Sequence, residues 1–232
     1  MSKSIADQTV LVTGAGRGFG AAIASAFARE GAKVVINYRN SQAAADGLAE
    51  KLGDRAVALQ ADVQDASAVV AMVKQAEASI GPITTVVHNA LADYSFNGDA
   101  RSSVQSLTSA EMVAQHSTAV LGALNVIQAT TPAMAEAGFG RIVTIGTNLV
   151  QNPVVPYHDY TSAKAALLAL TRTTAAELGP KGITVNMVSG GLLRTTDASS
   201  ATPAEVFDYI ADVAPLRSVT TPDAAADAVL FF

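Results

Sequence analysis

The chain has 232 residues, half of them hydrophobic, and its 20 Asp and Glu against 15 Lys and Arg give a net charge of -5. It contains no cysteine, which excludes disulfides, thiolate zinc sites and a cysteine nucleophile. The acidic balance argues against nucleic acid as a partner, because such proteins usually carry a basic face. A chain of this length fits one domain with a large core.

Nothing at the N-terminus resembles a targeting signal. The first residues, MSKSIADQ, are polar and lack the apolar stretch of a signal peptide. Apolar runs such as 165–170 are far shorter than the ~20 residues that a membrane helix needs. We therefore expect a cytoplasmic protein that does not enter a membrane.

Short runs rich in β-branched residues alternate with longer segments of helical periodicity. The runs predict strands at 9–13, 33–36, 56–59, 83–87, 141–145 and 183–188, and the segments between them predict helices at 19–30, 42–52, 66–80, 110–137 and 157–178. The strands are almost continuously apolar, as strands covered on both faces should be. This alternation predicts a single α/β domain spanning 1–232, with a doubly wound parallel sheet and helices on both faces.

The segment 190–217 interrupts the alternation and is rich in Thr and Ser, with one short helical pattern at 204–213. It follows the carboxyl end of the last predicted strand, where ligands bind in such sheets. We expect a substrate lid here. The alternative is an ordinary surface loop.

A glycine-rich turn follows the first strand and opens the first helix. It comprises Gly14, Gly16, Arg17, Gly18, Phe19 and Gly20. Glycines leave no Cβ between the backbone and a bound phosphate, and the helix N-terminus attracts the anion. Phe19 takes the place of the third glycine of G-x-G-x-x-G, so the spacing is T-G-x-x-x-G-x-G. The turn predicts a dinucleotide site, with a plain tight turn as the alternative.

The end of the second strand bears on the choice of cofactor. An acidic residue there would bind the ribose 2′-OH of NAD and repel the 2′-phosphate of NADP. The strand ends instead in Asn37, Tyr38 and Arg39. Arg39 and Arg17 offer two guanidinium groups for charge-assisted hydrogen bonds to that phosphate. We predict NADP(H) in preference to NAD(H), with Asn37 and Arg39 at the cofactor; the alternative is that both arginines are solvated surface residues.

Three residues are candidates for catalysis. Tyr160 and Lys164 are four apart in a predicted helix, so they share one face. Reducing a ketone needs a proton donor, and a nearby ammonium lowers the high pKa of a tyrosine. Thr147, just past the strand at 141–145, offers a hydroxyl to orient the substrate oxygen. The alternative for Tyr160 and Lys164 is a pair on an ordinary helix surface.

Together these motifs are similar to those of the short-chain dehydrogenase/reductase family over the whole chain. The matching segments are 13–20, 62–63, 89–90, 140–143, 160–164 and 183–186. The resemblance implies a Rossmann fold and is strongest to the bacterial 3-oxoacyl-acyl-carrier-protein reductases.

The resemblance also implies residue roles. Tyr160 would be the general acid/base, and Lys164 would bind the nicotinamide ribose and tune Tyr160. The remaining cofactor residues would be Asp62 and Val63 at the adenine, Asn89 and Ala90 along the cofactor, and Leu193 and Thr195 at the nicotinamide.

Several positions depart from the family pattern. Thr147 replaces a serine, Gly190-Gly191 replaces Pro-Gly, and 88–91 reads His-Asn-Ala-Leu in place of Asn-Asn-Ala-Gly. Ala119 aligns with an asparagine that often takes part in a proton relay, unless His116, Ser117 or Thr118 takes its role. We expect His88 to be a packed residue rather than a catalyst. The family continues through one more strand, which would take about five residues, and we expect that strand to be missing from this chain.

Three functions follow as hypotheses. The first is an NADPH-dependent 3-oxoacyl reductase with acyl carrier protein as a partner, although few basic residues are available for an acidic carrier. The second keeps the chemistry but takes a free small ketone, alcohol or sugar. The third is a weakly catalytic NADP-binding sensor or partner subunit. No metal site is predicted, and we expect a homo-oligomer, either a dimer or a tetramer.

Overall fold

A computed structural model of the chain describes residues 3–232. Its centre is a six-stranded sheet in the order β3-β2-β1-β4-β5-β6, and every neighbouring pair is parallel. The strands are β1 (Thr9–Val12), β2 (Lys33–Tyr38), β3 (Ala56–Gln60), β4 (Thr85–His88), β5 (Gly140–Thr147) and β6 (Ile183–Gly190). The winding reverses between β1 and β4, which confirms the predicted doubly wound sheet.

Helices cover both faces of this sheet. They are α1 (Gly18–Arg29), α2 (Gln42–Leu52), α3 (Ala66–Ile80), α4 (Ser109–His116), α5 (Gly122–Ala137), α6 (His158–Leu178), α7 (Ala204–Val213) and α8 (Pro222–Leu230). Successive residues of each strand point to opposite faces. Leu11 and Val86 therefore pack with α3 and α5 in one core, whereas Val10 and Val87 pack with α1 and α8 in the other.

The helix predicted at 110–137 is divided in the structure. A π-helical turn, Ser117–Leu121, separates α4 from α5, and the amide of Gly122 donates to the carbonyl of Ser117, five residues back. Backbone angles stay helical at both of these residues, with φ of -60° and ψ near -44°. A pattern of apolar residues does not reveal this one-residue change in hydrogen-bond spacing, so the sequence predicts one helix.

The parallel topology brings the candidate site together. The segments after β1, β4, β5 and β6 all leave the same edge of the sheet, and the β1–β4 boundary is the switch point where ligands bind in open α/β sheets. β3 and β6 are the edge strands within residues 3–232, and the expected absence of a further strand stays a prediction. In this part of the chain, no helix has the length and apolarity to cross a bilayer, and no cluster of His, Asp and Glu is arranged to hold a metal ion.

Gly122 should tolerate alanine poorly although it lies in a helix. A Cβ there would lie 2.7 Å from Cγ2 of Val63, while a Cβ on Gly47 in α2 would meet nothing within 4 Å. We predict that Gly122→Ala lowers the free energy of unfolding by about 1–3 kcal/mol through overpacking. Gly47→Ala should raise it by roughly 0.5–1 kcal/mol through helix propensity. Urea unfolding of both variants measures this, and the same sign for both would contradict the packing described for Val63.

Candidate active site

The glycine turn, residues 14–20, has a backbone shape that lets the phosphates of a dinucleotide approach its amides. Gly14 and Gly18 have φ of +63° and +57°, which favours glycine at both positions. A Cβ on Gly14 would lie 3.0 Å from Cα of Ala90, and a Cβ on Gly20 would lie 2.6 Å from Nδ2 of Asn89. No side chain among the described residues caps the start of α1, so its first amides can bind an anion. The turn fits a dinucleotide.

Thr13 ties this turn to the end of β4. Its hydroxyl accepts hydrogen bonds from the amides of Asn89 and Ala90, both at 3.0 Å. Asn89 also bonds to the turn through its side chain, whose Nδ2 donates to the carbonyls of Thr13 and Gly14 at 3.1 and 3.2 Å. Asn89 and Ala90 therefore lie beside the glycine turn, and their contact with a cofactor stays a prediction.

Asn37 lies under the turn rather than open to it. Its side chain is 1% exposed; Oδ1 accepts from the amide of Gly14 at 3.3 Å, and Nδ2 donates to the carbonyl of Ala61 at 3.0 Å. The main-chain carbonyl of Asn37 also accepts from the amide of Ala15. The structure thus gives Asn37 a supporting place below the cofactor residues.

Both candidate arginines are exposed and paired with carboxylates. Nε of Arg17 lies 3.1 Å from Asp197, and a guanidinium nitrogen of Arg39 lies 3.8 Å from Asp62. Asp62 is therefore close to Arg39 at the ends of β2 and β3. Val63 is buried against the position of Gly122.

Thr147, Tyr160 and Lys164 meet at the carboxyl end of β5, and all three are buried. Oγ1 of Thr147 accepts from the amide of Leu149 at 3.3 Å, which leaves its O–H free to donate. Burial raises the pKa of Tyr160 to about 12, although a hydrogen bond from Thr147 acts to lower it. The structure thus differs from the sequence expectation of a lowered tyrosine pKa, because desolvation outweighs the other contributions.

Lys164 is held by the backbone of β5. Its Nζ donates to the carbonyl of Ile145 at 2.6 Å and lies 5.7 Å from the centre of the Tyr160 ring. Burial lowers the pKa of Lys164 to about 8, because the low-dielectric interior disfavours the ammonium. Lys164 and Tyr160 therefore share a helix face in the interior, and they are not a surface pair.

Three aromatic rings form an aromatic wall around Tyr160, namely Tyr94, Phe96 and Tyr157. Tyr94 stacks on Tyr160 with ring centres 5.1 Å apart, and Phe96 meets it edge-on at 5.3 Å. The sequence alone does not reveal this wall, because Tyr94 and Phe96 lie in an irregular segment between β4 and α4.

A partly buried ion pair closes the outer side of the wall. Arg101 donates to Asp159 at 2.6 Å, and its guanidinium lies 4.0 Å from the ring centre of Tyr94. Asp159 directly precedes Tyr160 and is 3% exposed. In the sequence, this ion pair was indicated only by the charged residue Asp159 next to the candidate tyrosine.

The segment 190–217 contacts both halves of the site. The amide of Phe96 donates to Ala198, and Thr202 donates to the carbonyl of Phe96. Leu193 is partly buried and accepts from the hydroxyl of Ser199 at 2.8 Å; Thr195 is exposed. Thr196 approaches the glycine turn, 3.6 Å from an ideal Cβ on Gly18. The segment lies over the site, and its role as a lid stays a prediction.

Replacing Lys164 should change how stability depends on pH. The pKa of this residue falls from 10.5 to about 8 on folding, so the unfolded chain binds more protons between those values and stability rises with pH there. We predict that wild type gains about 2 kcal/mol of unfolding free energy relative to Lys164→Met between pH 7 and 9.5. Urea unfolding across this range measures the difference, and a difference that stays flat with pH would contradict a buried ammonium.

Comparison with known proteins gives consistent matches over nearly the whole chain. The family described as Enoyl-(Acyl carrier protein) reductase matches residues 14–232. Nodulation protein G of Azospirillum brasilense is 34% identical, covering 100% of this chain and 91% of its own. A 3-oxoacyl-[acyl-carrier-protein] reductase of Staphylococcus aureus is 32% identical, covering 97% of this chain and 89% of its own.

Solved structures agree with these relatives. The 3-oxoacyl-[acyl-carrier protein] reductase of Brucella melitensis superposes with a TM-score of 0.88 at 32% identity, covering 98% of this chain and 85% of its own. A second such structure from that organism has bound NAD, with a TM-score of 0.85 at 32% identity, covering 97% and 83%. The gluconate 5-dehydrogenase of Burkholderia cenocepacia, in complex with NADP and tartrate, has a TM-score of 0.86 at 27% identity, covering 97% and 87%.

The sequence match, the parallel sheet and the glycine turn lead to one assignment. The chain belongs to the short-chain dehydrogenase/reductase family of NAD(P)-binding oxidoreductases.

Proposed function

We propose that this protein is an NADPH-dependent reductase that converts a ketone to an alcohol, with a 3-oxoacyl thioester as its substrate. The observation that carries the proposal is the convergence of two hydroxyls and a buried ammonium at the end of β5. The Thr147 hydroxyl lies close enough to Tyr160 to act on its pKa, and Lys164 lies on the same helix face as that tyrosine.

Tyr160, Thr147 and Lys164 each have a separate role in the proposed ketone reduction. The nicotinamide, when bound, supplies the hydride. Tyr160 holds its proton at neutral pH, since its pKa is raised to about 12, and it can donate that proton to the carbonyl oxygen. The Thr147 hydroxyl hydrogen-bonds to the same oxygen and orients it. The positive charge of Lys164 stabilises the phenolate that remains on Tyr160.

The glycine turn, Asn89 and Ala90 are proposed to hold the dinucleotide, with Asp62 and Val63 at its adenine end. For the 2′-phosphate we propose Arg39 and Arg17. β2 ends without an acidic side chain open to the ribose. The partners of the two arginines are the exposed Asp197 and the half-buried Asp62, which a phosphate can replace. Leu193 and Thr195 are proposed to contact the nicotinamide end.

The aromatic wall supports an acyl substrate. Tyr94, Phe96 and Tyr157 offer an apolar surface next to Tyr160, which suits an acyl chain better than a polyhydroxylated sugar. The S. aureus relative and the Brucella structure carry the same activity in their names.

A free small ketone or sugar acid is the second candidate. An acidic carrier protein requires a basic docking surface, and Arg141, one of the few bases available for it, is partly buried and stacks on Phe139 at 4.3 Å. The structural similarity to a gluconate 5-dehydrogenase agrees with this alternative.

We also propose a homo-oligomer in the cytoplasm. Val113 and Leu121 expose 62% and 46% of their surface on the adjoining helical segments α4 and the π-helical turn. Exposed apolar residues on adjoining segments favour contact between subunits.

Substrate class is tested by comparing NADPH oxidation with three carbonyl compounds. These are a 3-oxoacyl group on acyl carrier protein, acetoacetyl-coenzyme A and a keto sugar acid. We expect kcat/KM for the thioesters to exceed that for the sugar acid by at least about tenfold, since the wall favours apolar chains. A preference for the sugar acid would contradict the 3-oxoacyl assignment, and NADPH binding without turnover of any ketone would favour the sensor hypothesis.

The cofactor assignment predicts a selective effect of Arg39→Asp. A charged hydrogen bond contributes roughly 1.5–3 kcal/mol, so the KM for NADPH should rise about tenfold or more. The KM for NADH should change little, because NADH lacks the 2′-phosphate. Arg172→Asp, at an exposed position on α6, is the matched control for charge. Equal increases in both KM values would contradict the 2′-phosphate assignment.

A further inference from the structure

His88, at the end of β4, has an unusual surrounding for an imidazole. It is 1% exposed, and its Nε2 has no hydrogen-bond partner among the described residues. An unpaired buried polar atom costs free energy and calls for a physical reason.

The protonation of the imidazole follows from its contact with Thr13, the residue directly after β1. The oxygen of the Thr13 hydroxyl already accepts two amide hydrogens, from Asn89 and Ala90, which occupy its lone pairs. Its remaining capacity is its own proton, and Nδ1 of His88 lies 3.3 Å away. Thr13 therefore donates to Nδ1, and the ring proton of His88 must be on Nε2.

Nε2 points toward the π-helical turn. The carbonyls of Thr118 and Ala119 lie close enough to raise the pKa of His88, while burial and the charge of Lys164 lower it to about 3. Cε1 lies 3.4 Å from an ideal Cβ on Gly122, the residue whose amide pairs five positions back with Ser117. Where helical pairing returns from five residues to four, one carbonyl loses its intrahelical donor, and such turns often occur at functional sites.

The π-helical turn also contacts α6, called here the catalytic helix. Residues 117–121 pack against α6, which carries Tyr160 and Lys164. Ala119 provides no polar side chain here, so the imidazole of His88 is a donor able to satisfy these carbonyls from the side of the sheet.

We propose that His88 is a positioning residue that joins the cofactor turn to the catalytic helix through one neutral imidazole. Nδ1 accepts from Thr13 beside the glycine turn, and the proton on Nε2 is directed at the carbonyls of the π-helical turn without a hydrogen bond of ordinary geometry to either. The effect on catalysis rests on the proposed reductase function, whereas the protonation of the ring does not.

The ring proton is tested directly by NMR on wild-type protein with ¹⁵N-labelled histidine. The chain has three histidines, and the signals of His88 are identified by their absence in His88→Asn. We expect a neutral ring protonated on Nε2 that does not titrate between pH 8 and 5, since the pKa is about 3. A proton on Nδ1, or titration near pH 6.5, would overturn the proposal.

Two variants separate the two contacts. Glutamine places an amide nitrogen where Nε2 lies, whereas asparagine reaches only the position of Nδ1. We expect His88→Gln to keep kcat within about threefold and His88→Asn to lose about tenfold or more, because a small displacement of α6 disturbs the reacting geometry. The Kd for NADPH of His88→Asn should change less than about twofold, since the contact near Thr13 is retained.

Val86→Ala is the matched control, because Val86 is fully buried on the same strand and face. It should lose stability and keep kcat. Equal kcat in His88→Gln and His88→Asn, or a loss in Val86→Ala as large as that in His88→Asn, would show that packing alone matters and would overturn the proposal.

A readout without turnover separates this inference from the proposed function. The amide of Gly122 should exchange hydrogen faster in His88→Asn than in His88→Gln, even if no ketone is reduced by wild type. Equal exchange in the two variants would overturn the positioning role whatever the substrate.

Discussion

The site depends on the close approach of two backbone segments, where the glycine turn after β1 meets the start of the loop after β4. Cα of Ala90 lies 3.0 Å from the position of a Cβ on Gly14, so a side chain on Gly14 would force the segments apart. Thr13 and Asn89 hold them together with four hydrogen bonds. Because β1 and β4 flank the switch point of the sheet, this contact fixes the proposed dinucleotide site relative to the candidate catalytic residues on β5 and α6.

Burial determines the charge state of the two central groups. It raises the pKa of Tyr160 and lowers that of Lys164, so the same low-dielectric recess favours a neutral phenol and weakens the hold on an ammonium proton. A phenol that keeps its proton suits the reductive direction, in which Tyr160 is the proposed donor. The aromatic wall maintains this environment, and the pair of Arg101 and Asp159 anchors the wall to the residue next to Tyr160.

Much of this arrangement could be predicted from the sequence, because it rests on local patterns. Continuous apolar runs identified all six strands, and the glycine spacing after β1 identified a turn whose shape fits a phosphate. The tyrosine and lysine four residues apart identified one helix face. Each of these signals lies within a few neighbouring residues.

The rest depends on long-range contacts that no local pattern contains. Asn37 supports the turn only because β2 lies beside β1, and the pairing of Arg17 with Asp197 joins residues far apart in the chain. The raised pKa of Tyr160 depends on rings from a segment without regular structure. The π-helical turn changes hydrogen-bond spacing while the apolar pattern continues. The sequence therefore indicated which groups are candidates for the chemistry, but their protonation and partners required the fold.

The most direct measurement of the central claim is single-turnover NADPH oxidation by Tyr160→Phe with acetoacetyl-coenzyme A. This substitution keeps the ring in the aromatic wall and removes only the hydroxyl. General acid catalysis contributes about 10²–10⁴-fold, so the rate of the chemical step should fall by that factor while the Kd for NADPH stays close to that of wild type. A rate near that of wild type would show that the proton comes from another group and would contradict the assignment of Tyr160.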